Sequence, residues 1–161
     1  MRRAAALGLA LVALGCSTPP ARDAGPSDAG PVSLALGTGE QAFAPVAEGE
    51  TLLLARGCQG LQHVWIALRA TGLAPRGVHV HLSLARDDGT EVSAPFDTAI
   101  TFTPDARSAA EDLSGLMLVV PTPDDALGLP LTLRAEVTDR EGRSVSAAAP
   151  VTLAWGTDVC G

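Results

Sequence analysis

Strict alternation of apolar and polar residues is the feature of this 161-residue chain that most constrains its fold. In Val78–Leu84 every second residue is apolar and the residues between are polar, and Leu131–Val137 repeats the pattern. A period of two indicates half-buried β-strands, because successive side chains of a strand point to opposite faces. Leu113–Val120 is a mostly apolar strand that contains Gly115. No window keeps the spacing of an amphipathic helix for more than a turn.

Turn residues separate these segments. Asp88 and Gly89 predict a tight turn after a strand at 78–86, and the segment Asp139–Gly142 predicts another between strands at 131–138 and 144–155. The roughly even spacing of the segments predicts an all-β domain over residues 32–161. We expect a single β-sandwich of seven to nine antiparallel strands.

The N-terminus has the layout of a secretory signal. Arg2 and Arg3 precede an apolar run over residues 4–14, and small residues lead to Cys16. The run is too short to span a bilayer, which takes roughly 20 helical residues. Residues 1–15 are therefore predicted to be a cleaved signal peptide, so we expect an exported protein.

The segment Ala13–Cys16 resembles a bacterial lipobox, in which the cysteine is acylated and becomes the mature N-terminus. The alternative is an ordinary signal peptide cut before Cys16. The number of cysteines favours lipidation, since an exported chain with three must account for the odd thiol. If Cys16 carries lipid, Cys58 and Cys160 remain as one disulfide pair.

Residues 16–31 are predicted to form a disordered tether behind the lipidated cysteine. The stretch is rich in Pro, Gly, Ala, Ser and Asp and has no apolar periodicity. Ser17 follows the cysteine, which resembles the sorting signal of outer-membrane lipoproteins. We therefore expect attachment to the membrane through lipid on Cys16, in the outer membrane of the cell envelope.

The region 32–161 resembles the immunoglobulin-like and fibronectin III-like extracellular modules of bacteria, especially in its last hairpin, over 131–155. It is also similar to lipoproteins of myxobacteria in Leu36–Glu40, Phe43, Gly57–Gly60 and Gln62–Ile66. The resemblance implies that the β-sandwich is immunoglobulin-like, and it implies no established activity. In the immunoglobulin pattern a disulfide crosses the core, whereas here we expect Cys58 and Cys160 to pin the C-terminal end to the loop before the strand at 61–70.

The strand at 61–70 carries the candidate binding surface. Its apolar face holds Val64, Ile66 and Leu68, and its other face holds His63, Trp65 and Arg69. A tryptophan beside an arginine on an outward face is typical of an interface anchor. The alternative is that Trp65 packs under a loop as part of the core, and Trp155 is interpreted as core or as a lid over one end of the domain.

Three histidines offer an alternative function. If the strands carrying His63 and the pair His79 and His81 were neighbours, imidazole ligands for Zn or Cu would gather. In an immunoglobulin-like order these strands fall in opposite sheets, so we expect no metal and no other cofactor. The acidic pairs at 87–88, 111–112 and 124–125 are interpreted as turn residues rather than calcium ligands.

Charge and motifs narrow the function. A formal net charge of -7 disfavours nucleic-acid binding, which needs clustered basic residues. No nucleophile elbow, phosphate-binding loop or zinc-protease motif occurs, so we expect no enzyme. The sequence predicts a non-enzymatic envelope lipoprotein that binds a protein or glycan partner or supports structure. The alternatives are a periplasmic Cu- or Zn-binding lipoprotein and an accessory subunit of an envelope complex.

Overall fold

The computed structural model describes residues 30–58, 60–105 and 108–156, and these residues form an all-β fold, as predicted. The strands, in chain order, are β1 Ser33–Thr38, β2 Ala44–Pro45, β3 Glu50–Arg56, β4 Gln62–Thr71, β5 Val78–Arg86, β6 Phe96–Ile100, β7 Thr103–Pro104, β8 Glu111–Val119, β9 Leu131–Thr138 and β10 Ser144–Trp155. One 3-10 turn, Pro123–Asp125, lies between β8 and β9.

The strand β4 organises the first half of the molecule. One of its edges pairs with β8 in antiparallel fashion. Two strands share its other edge, because β3 pairs with the beginning of β4, where Leu54 faces Val64, and β1 pairs with the remainder, where Leu36 faces Leu68. The short strands β2 and β7 extend β1 and β8.

The second half of the molecule is built around β9. It lies between β10 and β5, both antiparallel to it, and β6 forms the border beyond β5. The two halves are joined through β3, which pairs in parallel with Val151–Trp155 of β10. All ten strands therefore belong to one mixed sheet that curls into a half-barrel.

The finer prediction of two separate antiparallel sheets therefore differs from the observed hydrogen bonding. The alternation pattern locates strands and their faces, but it contains no information about which strand edges meet. The parallel contact between β3 and β10 joins segments about 100 residues apart, and no local signal marks it.

The core lies on the inner face of the curled sheet. The predicted alternation in β5 is confirmed, since Val78, Val80, Leu82 and Leu84 are fully buried. Other large, fully buried side chains come from both halves, namely Leu54, Ile66, Leu68, Leu118, Leu133 and Leu153. Burying a side chain of this size contributes about 1.5–3 kcal/mol, so this shared core holds the two halves together.

Both predicted turns are confirmed. Gly89 has a φ of 84°, and its N–H donates to the carbonyl of Arg86. In the other turn the buried carboxylate of Asp139 accepts hydrogen bonds from the N–H groups of Ala74 and Arg143 and from the Arg143 side chain, all at 2.9 Å. Burial opposes the charge on Asp139, but these hydrogen bonds outweigh it and lower its pKa.

The predicted signal peptide at 1–15 and most of the predicted tether lie outside the described residues. Within residues 30–58, 60–105 and 108–156, no helix has the length and apolar character needed to cross a membrane.

Candidate functional site

The outward face of β4 carries the residues singled out from the sequence, and a loop crosses it. Residues 39–43, which we call the strap, leave the end of β1 and reach over to β8, where the carbonyl of Gly39 accepts a hydrogen bond of 3.0 Å from the N–H of Gly115. Because β1 and β8 lie on opposite edges of β4, the strap covers the middle of β4, and the outward Ala67 is fully buried. The strap therefore divides this face into two ends.

Two glycines allow the strap to lie so close. A Cβ on Gly37 would stand 2.5 Å from the ring of Phe43, and a Cβ on Gly115 would stand 2.8 Å from the carbonyl oxygen of Glu40. Gly115 also has a φ of 76° and lies in a β-bulge, where β8 carries one more residue than the facing part of β4. Any other residue at either position would push the strap away from the sheet.

One end of the face is closed around Arg69. Its guanidinium donates two hydrogen bonds of 2.7 Å to Asp112, lies 3.6 Å from Asp105, and stacks over the ring of Phe43 at 4.4 Å from the ring centre. The hydrogen bonds to Asp112 raise the pKa of Arg69, against the effect of desolvation. We call Arg69, Phe43, Asp105 and Asp112 the closed cluster.

The other end is an open groove of about 250 Å³ beside Trp65. The residues that line this groove are Thr38, Gly39, Glu40, Glu50, Thr51, Leu52, Leu53 and Trp65. Trp65 is half-buried, whereas the neighbouring Leu53 is 62% exposed. Met117, directly opposite Trp65 on β8, is 52% exposed. An apolar row thus runs across three strands at this end of the face.

His63 packs against Trp65 and is not part of the exposed surface. Only 5% of the residue is exposed, and its ring meets that of Trp65 edge to face at 4.7 Å between centroids. Gly57 lies beside the imidazole, and Nε2 has no hydrogen-bond partner among the residues that the structure describes. The three predicted surface residues thus have three different environments: His63 is buried, Arg69 is held in the closed cluster, and Trp65 lines the groove.

The structure does not bring the three histidines together. In the order of the sheet, β3, β10 and β9 lie between β4, which carries His63, and β5, which carries His79 and His81. Both histidines of β5 contact Asp97 of β6, at 3.1 and 3.6 Å. Across the described parts of the chain, no group of three or more His, Cys, Asp or Glu side chains is arranged to hold a metal ion.

The acidic pairs serve different roles. Asp88 lies in its predicted turn, where its carboxylate accepts the N–H of Thr90, and this hydrogen bond lowers its pKa. Asp112 belongs to the closed cluster, while Glu111 lies opposite the buried Ala70 of β4. Burial raises the pKa of Glu111, and its Oε2 has no hydrogen-bond partner among the described residues. The interpretation of this pair as turn residues is wrong, because both lie in β8.

The remaining predicted residues follow β3 or lie at the end of β10 and beyond it in the sequence. Cys58 is exposed in the turn after β3, and Cys160 lies outside the described residues, so their pairing stays a prediction. Trp155, at the end of β10, is 42% exposed and is covered by the guanidinium of Arg56 at 4.9 Å from its ring centre. This exposure contradicts the interpretation of Trp155 as core, and its role as a lid stays a prediction.

The sequence did not predict the strap, nor the acidic residues that lie in the groove and in the closed cluster. Glu40, Glu50 and Asp112 are ordinary acidic residues in the sequence, and only the folded chain places Glu40 and Glu50 in one groove and Asp112 against Arg69. The sequence feature that could have indicated the strap is the pair Gly37 and Gly39 shortly before Phe43, because small residues allow an aromatic ring to pack closely. Neither a scan against models of protein families nor a search of curated proteins returns a match to this chain.

Proposed function

We propose that this protein is an envelope-anchored lipoprotein whose folded domain is a non-enzymatic binding module for a protein or glycan partner. The observation that carries the proposal is the open groove lined by the half-buried Trp65 and the exposed Leu53, with the exposed Met117 beside it on β8. Exposed large apolar side chains grouped around a tryptophan are characteristic of interaction sites. The lipobox-like segment ending in Cys16 supports the anchor.

We further propose that the domain is related to the immunoglobulin-like sandwiches. The pairing of β1, β4 and β8 on one side, and of β6, β5, β9 and β10 on the other, supports this arrangement. The parallel pairing of β3 with β10 then connects two layers that would otherwise be separate.

The position of the chain entry supports a tethered module. Gly30 lies next to Gly72, just beyond the last residue of β4, because a Cβ on Gly72 would stand 3.0 Å from the carbonyl oxygen of Gly30. Trp65 lies near the beginning of the same strand. Six residues of strand correspond to about 20 Å, so the groove stands well away from the tether.

The proposed disulfide has a simple geometric basis. Strands β3 and β10 run in parallel, and the N–H of Gly156 donates to the carbonyl of Leu54 at 2.9 Å. The chain therefore leaves both strands in the same direction, with Cys58 four residues after Leu54 and Cys160 four residues after Gly156. In the chain-entropy model, closing a loop of this length contributes about 4.7 kcal/mol.

Native intact mass of the protein extracted from its own membranes tests the anchor and the disulfide. We expect a diacyl or triacyl increment on a chain that begins at Cys16, and a deficit of two hydrogens that reduction restores. A Cys16→Ala variant should lack the increment. An unmodified chain that begins at Cys16 would contradict the anchor.

Site-specific photo-crosslinking in the native envelope tests the binding module. A photoreactive residue in place of Leu53, in the groove, is expected to yield a defined crosslinked species. The matched control places it at Ala99, an exposed outward position on β6, far along the sheet. Equal crosslinking from both positions would contradict a binding function of the groove.

A further inference from the structure

We infer that the open groove binds a cationic side chain, a guanidinium or ammonium group next to an apolar residue in a peptide segment of the partner. This inference rests on the proposed binding function and narrows it to a chemical class. The groove offers a flat indole, an exposed leucine and two carboxylates, which together fit a cation on an apolar stem.

The charge of the groove points to the sign of its ligand. Glu40 and Glu50 are both in the lining, and the described residues that form it include no Arg or His. Glu50 also accepts the N–H of Ala47 at 2.6 Å, which holds that carboxylate in place at the groove. The whole chain carries a formal charge of -7, so an anionic partner would be repelled both locally and at long range.

The molecule contains a filled version of the same site. In the closed cluster an aromatic ring and two carboxylates surround the guanidinium of Arg69, with 4.4 Å from the guanidinium carbon to the ring centre. A second guanidinium, that of Arg56, lies over Trp155 at 4.9 Å. Trp65 lines the groove together with Glu40 and Glu50, and a partner's arginine or lysine would bring a cation to a tryptophan and two carboxylate residues.

The apolar row indicates what surrounds the cation in the partner. Leu53 lies on one side of Trp65 and Met117 on the other, so a peptide that places its cation on the indole meets an exposed aliphatic side chain in either direction across the strands. Methionine adapts to varied apolar partners, which suits recognition of a class rather than of one sequence. His63 packs edge to face against the indole and keeps its orientation fixed.

A peptide titration followed by tryptophan fluorescence tests the inference. The full chain contains two tryptophans, so a Trp155→Phe variant leaves Trp65 as the reporter. The probe is the nine-residue peptide amide GALRALRAG, compared with versions that carry glutamine or glutamate at both arginine positions. We expect saturable quenching by the arginine peptide, weaker binding of the glutamine version and none of the glutamate version.

Matched variants locate the binding. Glu40→Gln removes one carboxylate of the groove and should weaken the arginine peptide about five-fold, the effect of losing one partly exposed ion pair. Glu48→Gln removes an exposed carboxylate of the same loop region that does not line the groove, and should leave the affinity unchanged. Both positions are exposed, so we expect both variants to fold, and melting curves are the check.

Two results would overturn the inference. Equal affinity for the arginine and glutamine peptides would remove the requirement for a cation, and equal weakening by Glu40→Gln and Glu48→Gln would reduce it to unspecific attraction by an acidic protein. If either result is obtained while Leu53 still crosslinks specifically in the native envelope, the cationic ligand is refuted but the binding function is not. Loss of that crosslinking as well would refute the binding function itself, and a dimer detected by light scattering would replace the partner with a second copy.

Discussion

The two ends of the outward face of β4 have similar chemical groups, but only one of them contains a basic side chain among its described residues. At one end Phe43, Asp105 and Asp112 surround Arg69, which comes from the chain itself. At the other end Trp65, Glu40 and Glu50 form a groove with no basic residue among its described lining residues. The closed cluster satisfies its charges internally and stabilises the strap, whereas the carboxylates of the open groove have no basic side chain among the described lining residues to neutralise them.

Displacing the strap should disrupt both ends at once, and this is the largest effect we expect. Gly115→Ala places a Cβ 2.8 Å from the Glu40 carbonyl at a φ of 76°, so strain and overpacking together should lower the free energy of unfolding by about 3 kcal/mol. Gly128→Ala is the matched control, since Gly128 has a φ of 69° but open space around its Cα. That variant should lose about 1 kcal/mol.

Urea unfolding measures both variants. Equal losses at the two glycines would show that only the left-handed backbone conformation matters, and the close contact of the strap with β8 would then contribute nothing to stability.

Emptying the closed cluster should destabilise the domain by less. Arg69→Met keeps the contact with Phe43 but leaves Asp105 and Asp112 without their shared guanidinium, so we expect the melting temperature to fall by a few degrees. Arg134→Met, on an exposed position of β9, serves as the control and should not change it. A double variant with Asp112→Leu should recover part of the loss, because the carboxylate that made two hydrogen bonds to Arg69 is then absent as well.

Glu111 and Asp112 are neighbouring carboxylates with different partners, and the change in stability expected from this difference is smaller still. Asp112 has a partner, whereas the buried Oε2 of Glu111 has none among the described residues. Glu111→Gln should therefore stabilise the domain at neutral pH by about 0.5 kcal/mol. Since burial raises the folded-state pKa of Glu111 above 4.5, the native protein loses stability as pH rises through that pKa.

Unfolding measured over a pH series checks the sign. The advantage of Glu111→Gln should be absent in acid and appear as pH rises above the ordinary range of glutamate. An advantage that is constant with pH would contradict a role for its charge.

The two ends should differ in their sensitivity to salt, and this is the smallest effect we expect. Raising sodium chloride from about 50 mM to about 500 mM should weaken the arginine peptide roughly three-fold, because its contacts with the groove are exposed to solvent. The loss of melting temperature in Arg69→Met should change less, since the pair of Arg69 and Asp112 is fixed by two short hydrogen bonds. Equal salt sensitivity would contradict the distinction between a closed and an open end.

The sequence predicts strands better than it predicts their neighbours. The bounds of β5, β9 and β10 match the alternation, because the side-chain period is a local property. The two halves are joined because β3 pairs with the distant strand β10, and the alternation of apolar and polar residues does not show which strands pair.

The same limit applies to the site. Alternation correctly places His63, Trp65 and Arg69 on one face of β4, yet their burial depends on the strap and on a partner 43 residues away in the chain, Asp112. Glycine pairs beside aromatic residues are the local trace of such a crossing, but they do not show which strand is crossed.

The pairing of β1 with β4 also determines how the domain responds to mechanical load. If the chain is held at its tether, a pull enters at Gly30 and runs along β1, while a bound partner holds the opposite end of β4. The hydrogen bonds between Ser33–Thr38 and Ile66–Thr71 then share the force in shear, all at once, rather than opening one after another. A module anchored in this direction would resist extraction from its partner until several hydrogen bonds fail together.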